Sequence, residues 1–379
     1  MFKISLPQRG RWREATDEEI EVCTAEMTGL QIILIIIEIF AEAKINLHFA
    51  AGKLSFSRSE TIILPQGRLS FERSEIFPLP YCIFLRFVIQ LSHHPKGGHT
   101  MAQLFLRYPG GLAKALTFSY DDGVEQDIRF MEILDKNGLK GTFNINSGSY
   151  PAEDKVWPEG TVHRRMPKSR CTEVYTNSGH EVAVHALTHP RLEQMTAERV
   201  SYEIVKDREN LEEQFGTIIR GMAYPYGSYN DTVVDVLRAC GILYARTTAV
   251  TGSFNIPKDW LRLPATCKHT DPKLMEFARK FADMNVTKDG AKLFYVWGHT
   301  YEFEGDDNWN VIEEFAEYMG GRKDIWYATN IEIFEYIKDF ESLVYSVDGN
   351  IVHNPTARTI WYYYKNEISS IAPGKTKKV

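Results

Sequence analysis

Two carboxylates stand side by side at Asp121 and Asp122, and two histidines stand four positions apart at His185 and His189. These are residue types that hold a divalent metal and work beside it. One carboxylate and two imidazoles suit zinc, with cobalt, manganese or nickel as alternatives, and such a set leaves positions open for water and substrate. An open site of that kind is catalytic in design. A divalent ion lowers the pKa of water from about 15.7 towards about 7 and polarises a carbonyl oxygen, which is what hydrolysis of an amide or ester needs. A second carboxylate, free of the metal, can take the proton as water attacks. The histidine spacing predicts that both rings share one side of a helical turn, with Pro190 stiffening the exit.

The elements around these residues decide whether they meet. Residues 115–120 form an apolar, β-favouring run that ends at the two acids, and Gly123 lets the chain turn at once after them. The pair is therefore expected at the carboxyl end of a buried strand, where α/β proteins bind ligands and where neighbouring residues point in different directions. Beyond Gly123, helix-like and strand-like stretches alternate. Residues 125–137 carry Ile128, Met131 and Leu134 before a stop at Gly138, residues 141–145 read as a second strand, and residues 181–184 run directly into His185. Thr196 is placed to cap a helix that buries Val200, Ile204, Leu211 and Phe215 and closes at Gly216. Strands follow at 220–224, 242–245 and 293–297, with helices at 231–239 and 309–318, and segments 325–328 and 331–340 complete the series. This alternation argues for a parallel sheet, and the number of units for closure into a (β/α) barrel with its polar clusters on one face.

The chain has 379 residues, a formal net charge of −6, and 44% apolar and 25% charged residues. That composition suits a large globular domain and offers no basic surface for nucleic acid. Cys23, Cys82, Cys171, Cys240 and Cys267 are odd in number and lack a C-x-x-C spacing, so they read as reduced thiols. The first hundred residues differ from the rest. Their apolar run at 32–37 is interrupted by Glu38 and falls short of the roughly 20 residues of a membrane span, so no span is expected. Asp17, Glu18, Glu19, Glu21 and Glu26 precede it where an export signal would be basic, which makes the cytoplasm the default location. Gly52-Lys-Leu-Ser-Phe-Ser-Arg-Ser-Glu60 recurs as Gly67-Arg-Leu-Ser-Phe-Glu-Arg-Ser-Glu75, too few copies for a solenoid. We expect residues 1–100 to be a poorly ordered extension foreign to the domain, residues 101–340 to form the barrel, and residues 341–379 to form a small β appendage. In that tail Asp348-Gly349 signals a hairpin, and Trp361, within an aromatic run, suits packing on the barrel or stacking on a sugar ring.

Four segments together resemble a known family. Thr117-Phe-Ser-Tyr-Asp-Asp-Gly123, His185-Ala-Leu-Thr-His-Pro190, Tyr224-Pro-Tyr-Gly227 and the stretch ending in Trp297-Gly-His299 look like the successive motifs of the polysaccharide deacetylases (NodB homology, carbohydrate esterase family 4), in the family's order and over about residues 115–340. The resemblance implies a distorted (β/α) barrel that removes acetyl groups from N- or O-acetylated sugars with a divalent metal, usually zinc. It implies Asp121 as the general base and Asp122, His185 and His189 as the metal ligands. It also implies the backbone N–H of Tyr226 as a donor to the tetrahedral oxyanion, and His299 as the general acid for the departing amine or alkoxide.

This chain departs from the family pattern at identifiable places. The second motif has Ser or Thr after its first histidine, where this chain has Ala186, so bracing is expected from Thr188. The third motif carries an arginine to pair with the base, where this chain has Ala223. Arg246 or Arg262 is expected to supply the cation that helps keep Asp121 ionised. Asp259-Trp260 resembles the fourth motif, which implies that Asp259 tunes the catalytic histidine and that Trp260 walls the acetyl pocket, with Cys267 and His269 outside the ligand set. The altered third motif leaves a second hydrolase reading, an amidohydrolase acting on a small cyclic amide or ureide. A third reading is a carbohydrate-binding protein without turnover. The expected partner is accordingly an acetylated carbohydrate or a small amide.

Overall fold

Strand Lys114–Asp121 is buried along its whole length, because its two faces serve two environments. Leu116, Phe118 and Tyr120 join the apolar layer between sheet and helices, where Phe118 meets Phe130 and Phe315 edge-on. Thr117, Ser119 and Asp121 alternate with them and face the other way. The computed structural model containing this strand describes residues 103–286 and 290–379, preceded by four short strands, Phe49–Ala50, Lys53–Leu54, Ile62–Leu64 and Gly67–Leu69. Those four pair as two antiparallel ribbons, and the rest of the extension expected over residues 1–100 lies outside the described residues.

The central strand pairs in parallel with Lys292–Gly298 on one side. On the other it pairs with Ile325–Tyr327 along its first half and Gly141–Ile145 along its second. From there the parallel order continues through Glu181–Val184, Gly221–Ala223 and Tyr244–Val250. The two edges of the sheet then meet on one stretch of chain. Leu263–Ala265 pairs with Tyr244–Val250, and Cys267–Lys268 pairs with Lys292–Gly298. Between them, Thr266 donates its N–H to the Tyr295 carbonyl (2.8 Å) and accepts from the Gly252 N–H (2.9 Å). The sheet therefore curls into a distorted (β/α) barrel, as the alternation of elements led us to expect.

The space inside is filled by polar and aromatic side chains that satisfy one another. Tyr244 Oη donates to Glu181 Oε1 (2.7 Å), Thr142 Oγ1 to Glu181 Oε2 (2.9 Å), Asn330 Nδ2 to Tyr295 Oη (2.7 Å) and Thr117 Oγ1 to Asn330 Oδ1 (2.9 Å). Helix Ala197–Phe215 stops at Gly216 (φ 63°) as expected, but the Thr196 side chain makes no capping bond. A capping box formed by Thr329 and Glu332 starts helix Asn330–Glu341. Strand Tyr244–Val250 runs past the end expected at residue 245 and so carries Arg246 into the barrel. In the C-terminal appendage, Ile360–Tyr364 pairs with Glu367–Ile371 and with Phe105–Arg107 from ahead of the barrel. A second antiparallel sheet joins Val344–Tyr345, Ile351–His353 and Thr376–Lys378. Trp361 lies against Gly111, close enough that a Cβ there would come within 3.3 Å of its ring. No helix of the described residues is long and apolar enough to cross a membrane.

The strand that delivers His299 ends in Gly298, where a Cβ would come within 1.9 Å of the His269 ring. That ring cannot yield, because it is stacked against Tyr120 and Phe303, with centroids at 5.5 and 4.1 Å. Gly298→Ala is expected to destabilise the protein by about 1–3 kcal/mol through overpacking, read as a lower urea midpoint at unchanged slope. In a His269→Ala background the added cost should shrink below about 0.5 kcal/mol. An undiminished cost there would rule out the clash as its source.

Candidate active site

Asp121 leaves the central strand pointing into the barrel mouth, where it is only 3% exposed. Its Oδ1 accepts from Asn144 Nδ2 (2.9 Å) and from Arg246 Nη2. Its Oδ2 lies 3.8 Å from His185 Nε2 and 3.7 Å from His299 Nε2. Burial alone would raise the pKa of this carboxyl, but Arg246 above all, with His299, outweighs burial and holds it below the ordinary value. Of the two arginines expected to replace the missing third-motif cation, only Arg246 reaches the site. Arg262 is partly exposed and pairs with Asp231 (2.5 Å) and Asp259 (2.8 Å).

Asp122 has φ 87°, a left-handed conformation that sends its side chain away from Asp121 and towards the next loops. Its carboxylate, one imidazole nitrogen of His185 and one of His189 all lie within 4.8 Å of one another. The chemistry of this donor set fits a divalent transition ion. His185 Nδ1 is 2.8 Å from the Ala223 carbonyl, which places the proton on Nδ1 and leaves Nε2 free as a donor to a metal. Burial lowers the pKa of both rings, that of His189 to about 4 with the His185 ring adding to the effect. Both are therefore neutral, as ligands must be. His163 Nε2 (3.3 Å) and Arg165 Nη2 (2.5 Å) flank the Asp122 carboxylate and more than offset the effect of burial, so its pKa is also depressed.

The two imidazoles do not share a helical turn, contrary to the reading of their spacing. Ala186 (φ 59°) and His189 (φ 57°) are both left-handed. The intervening carbonyls are bonded from outside the segment, Ala186 O by Asn146 Nδ2 (2.7 Å) and Leu187 O by Gly148 N (2.9 Å), which displaces helical hydrogen bonds. Thr188 does brace the loop, its N–H and hydroxyl bonding the buried Glu203 carboxylate at 2.9 and 3.0 Å. Asp207 adds a further tie by accepting from the His185 N–H (3.1 Å). Tyr226 also adopts a left-handed backbone (φ 58°, ψ 7°), between Pro225 and Gly227. Its exposed ring stands edge-on to His189 at 4.5 Å and under the Arg191 guanidinium at 4.6 Å.

His299 follows the strand opposite, and its Nδ1 is 3.2 Å from Glu302 Oε1. Burial lowers its pKa, but Glu302 and Asp121 prevail and leave it raised. Asp259 does not tune this histidine: its carboxylate is taken by Leu261 N (3.1 Å) and Arg262 (2.8 Å). Nor does Trp260 wall the site. It packs on Phe334 at 5.2 Å and lines a small void with Thr117, Leu293 and Asn330. Glu302 is the acid that sequence reasoning missed, although its place three residues after His299 was a usable signal. Lys268 Nζ (2.7 Å) and His269 Nε2 (3.2 Å) hold Glu302 from behind, so His269 supports the partner of His299 without joining the ligand set. Arg165 and His163 lie on a loop, and no sequence pattern signals them.

Residues 109–245 match the family model described as polysaccharide deacetylase. That span contains Asp121, Asp122, His185, His189 and Tyr226. Among curated proteins, the chain is 25% identical over 108 residues to the uncharacterized protein YlxY of Bacillus subtilis, covering 28% of this chain and 29% of that protein. It is 24% identical over 124 residues to the peptidoglycan-N-acetylglucosamine deacetylase PgdA of Listeria monocytogenes, covering 32% of this chain and 23% of that protein. The chain thus spans roughly a quarter of the length of these curated relatives. Among solved structures it is similar to a family 4 carbohydrate esterase from Streptomyces lividans in complex with acetate, at 17% identity, covering 57% of this chain and 93% of that one, with a TM-score of 0.38.

Zinc titration of the metal-stripped protein is expected to show one site per chain. Outer contacts around such sites are worth roughly 10–100-fold in affinity, so loss of a ligand in His189→Ala or Asp122→Ala should cost more than about 100-fold. Asp121→Asn should retain the ion. Equal affinity in all three variants would remove the ligand assignment.

Proposed function

We propose that this chain, whose residues 109–245 form a polysaccharide deacetylase domain of the NodB type, is a metal-dependent hydrolase that removes acetyl groups from an N- or O-acetylated carbohydrate. The observation that carries this reading is the position of Asp121. One ionised carboxylate oxygen lies between His185 of the donor set at 3.8 Å and His299 at 3.7 Å, so a base, a metal position and an acid border one small space. The name of the Listeria relative, a peptidoglycan-N-acetylglucosamine deacetylase, supports an acetylated amino sugar as the substrate class.

A divalent ion held by Asp122, His185 and His189 would polarise the acyl carbonyl and ease ionisation of the attacking water, zinc being the ion best matched to one carboxylate and two imidazoles. Asp121 takes the proton from that water, and Arg246 keeps it ionised until then. The backbone N–H of Tyr226 donates to the developing oxyanion. His299, protonated and oriented by Glu302 at Nδ1, delivers a proton from Nε2 to the departing amine or alkoxide. The same groups would open a small cyclic amide, so substrate choice is tested directly.

Acetate release from acetylated chitooligosaccharides and acetylated xylan is expected, with no opening of cyclic amides or ureides; the reverse result would transfer the assignment to an amidohydrolase. The pH dependence of kcat/KM then tests the roles. Asp121 must be ionised, and Arg246 lowers its pKa, so the neutral Arg246→Met should move the acid limb to higher pH while Arg246→Lys moves it less. His299 must be protonated, and Glu302 raises its pKa, so Glu302→Gln should move the alkaline limb to lower pH. Unmoved limbs in both neutral variants would refute the assignment of base and acid.

A further inference from the structure

The proposed base and acid sit on different strand ends, and the loops beyond them are tied to one buried carboxylate that takes no part in the chemistry above. Asp127, near the start of helix Gln126–Lys136, is 0% exposed. Its Oδ2 accepts from the Val124 N–H (3.1 Å), two residues beyond Asp122, and from Tyr175 Oη (2.5 Å) of helix Lys168–Tyr175. Its Oδ1 accepts from Thr300 Oγ1 (2.5 Å), the residue immediately after His299. Thr300 is itself fully buried and lies between His299 and Glu302, just ahead of helix Tyr301–Gly305. Its hydroxyl therefore anchors the turn that aims the His299 ring and carries the acid bonded to its Nδ1.

We infer that Asp127 and Thr300 are positioning residues for the reaction: their hydrogen bond fixes the His299 turn relative to the Asp121-Asp122 turn. The inference rests on the deacetylase reading of the site. A carboxylate is suited to the task because all three of its partners donate and it accepts on both oxygens. Its partners come from three separate elements, the exit of the first barrel strand, a covering helix, and the loop after the last catalytic strand. A tie of that kind sets a distance that no single loop sets for itself. The distance at stake is the 3.7 Å between His299 Nε2 and Asp121 Oδ2, and a displacement of about 1 Å in such a constellation costs on the order of 100-fold in rate.

The test uses Thr300→Val, which keeps the shape and removes the hydroxyl, and Thr300→Ser, which keeps the hydroxyl and removes the methyl. Thr300→Val is expected to lower kcat about 10–100-fold, with KM within about twofold and zinc affinity unchanged, as suits an interaction serving the chemical step. Thr300→Ser should restore kcat to within about threefold of the wild-type value, which loss of packing alone would not allow. In an Asp127→Ala background, if that variant folds, Thr300→Val should add little further loss, because the two groups act as one unit. Wild-type kcat in Thr300→Val, or equal losses in the Val and Ser variants, overturns the inference while leaving the deacetylase reading intact. A wild-type protein that binds zinc but hydrolyses no acyl substrate overturns that reading, and this role with it.

Discussion

An ionised carboxylate shut inside a protein has to be compensated from every side, and the site is arranged around that requirement at Asp121. Effective penalties for burying such a charge are several kcal/mol per ion. Here a fully buried guanidinium, Arg246, an amide, Asn144, and the His299 imidazole converge on its two oxygens. Arg246 is a buried charge as well, and the Trp297 ring lies 4.6 Å from its guanidinium carbon, where the aromatic face favours a cation. Each ion is thus the reason the other can remain charged. The barrel makes this possible, because inward-facing residues on adjacent strands reach a common axis while their alternate neighbours pack outward on the helices.

The two adjacent acids acquire different surroundings through one backbone torsion. In an undistorted strand, Asp122 would simply face the helices. Its φ of 87° ends the strand and brings its carboxylate close to His185 and His189, with Arg165 and His163 beside it. Among the described residues, eight non-glycine positions have positive φ, and Asp122, Ala186, His189 and Tyr226 are four of them. Such conformations cost of order 1–3 kcal/mol each and persist where the surroundings over-determine them. At this site the surroundings are visible: Asn146, Asp207 and Glu203 grip the histidine loop from three directions. The rigidity of those buried polar groups holds two imidazoles close to one carboxylate.

Charge around the opposite wall is distributed on the same principle. Glu302 neutralises the space between His299, Lys268 and His269 and is kept ionised by them, so its own pKa is depressed while that of His299 is raised. The acid supporting the histidine comes from its own loop, three residues on, whereas the acid expected for the task, Asp259, closes a local turn with Arg262. A short helix start brings residues i and i+3 together without help from the rest of the fold.

Much of this was legible in the amino-acid order alone. The alternation of elements, the stop at Gly216, and the placement of Asp121, Asp122, His185 and His299 at strand ends follow from local periodicity and from glycine and proline punctuation, which act over a few residues. The third-motif cation was narrowed to Arg246 or Arg262, and only the tertiary structure chose, because one strand runs on to Val250 and turns Arg246 inward while Arg262 stays outside with Asp231. The histidine pair read as helical, since spacing alone does not reveal that carbonyls from Ala186 and Leu187 are captured by Asn146 and Gly148 on a neighbouring segment. The stop at Gly216 is legible because a helix C-cap forms within a few residues. Where partners lay tens of residues away, as for Arg246 with Asp121 or Arg165 with Asp122, the closing of the barrel decided them, because pairing across a sheet depends on register that no short stretch encodes.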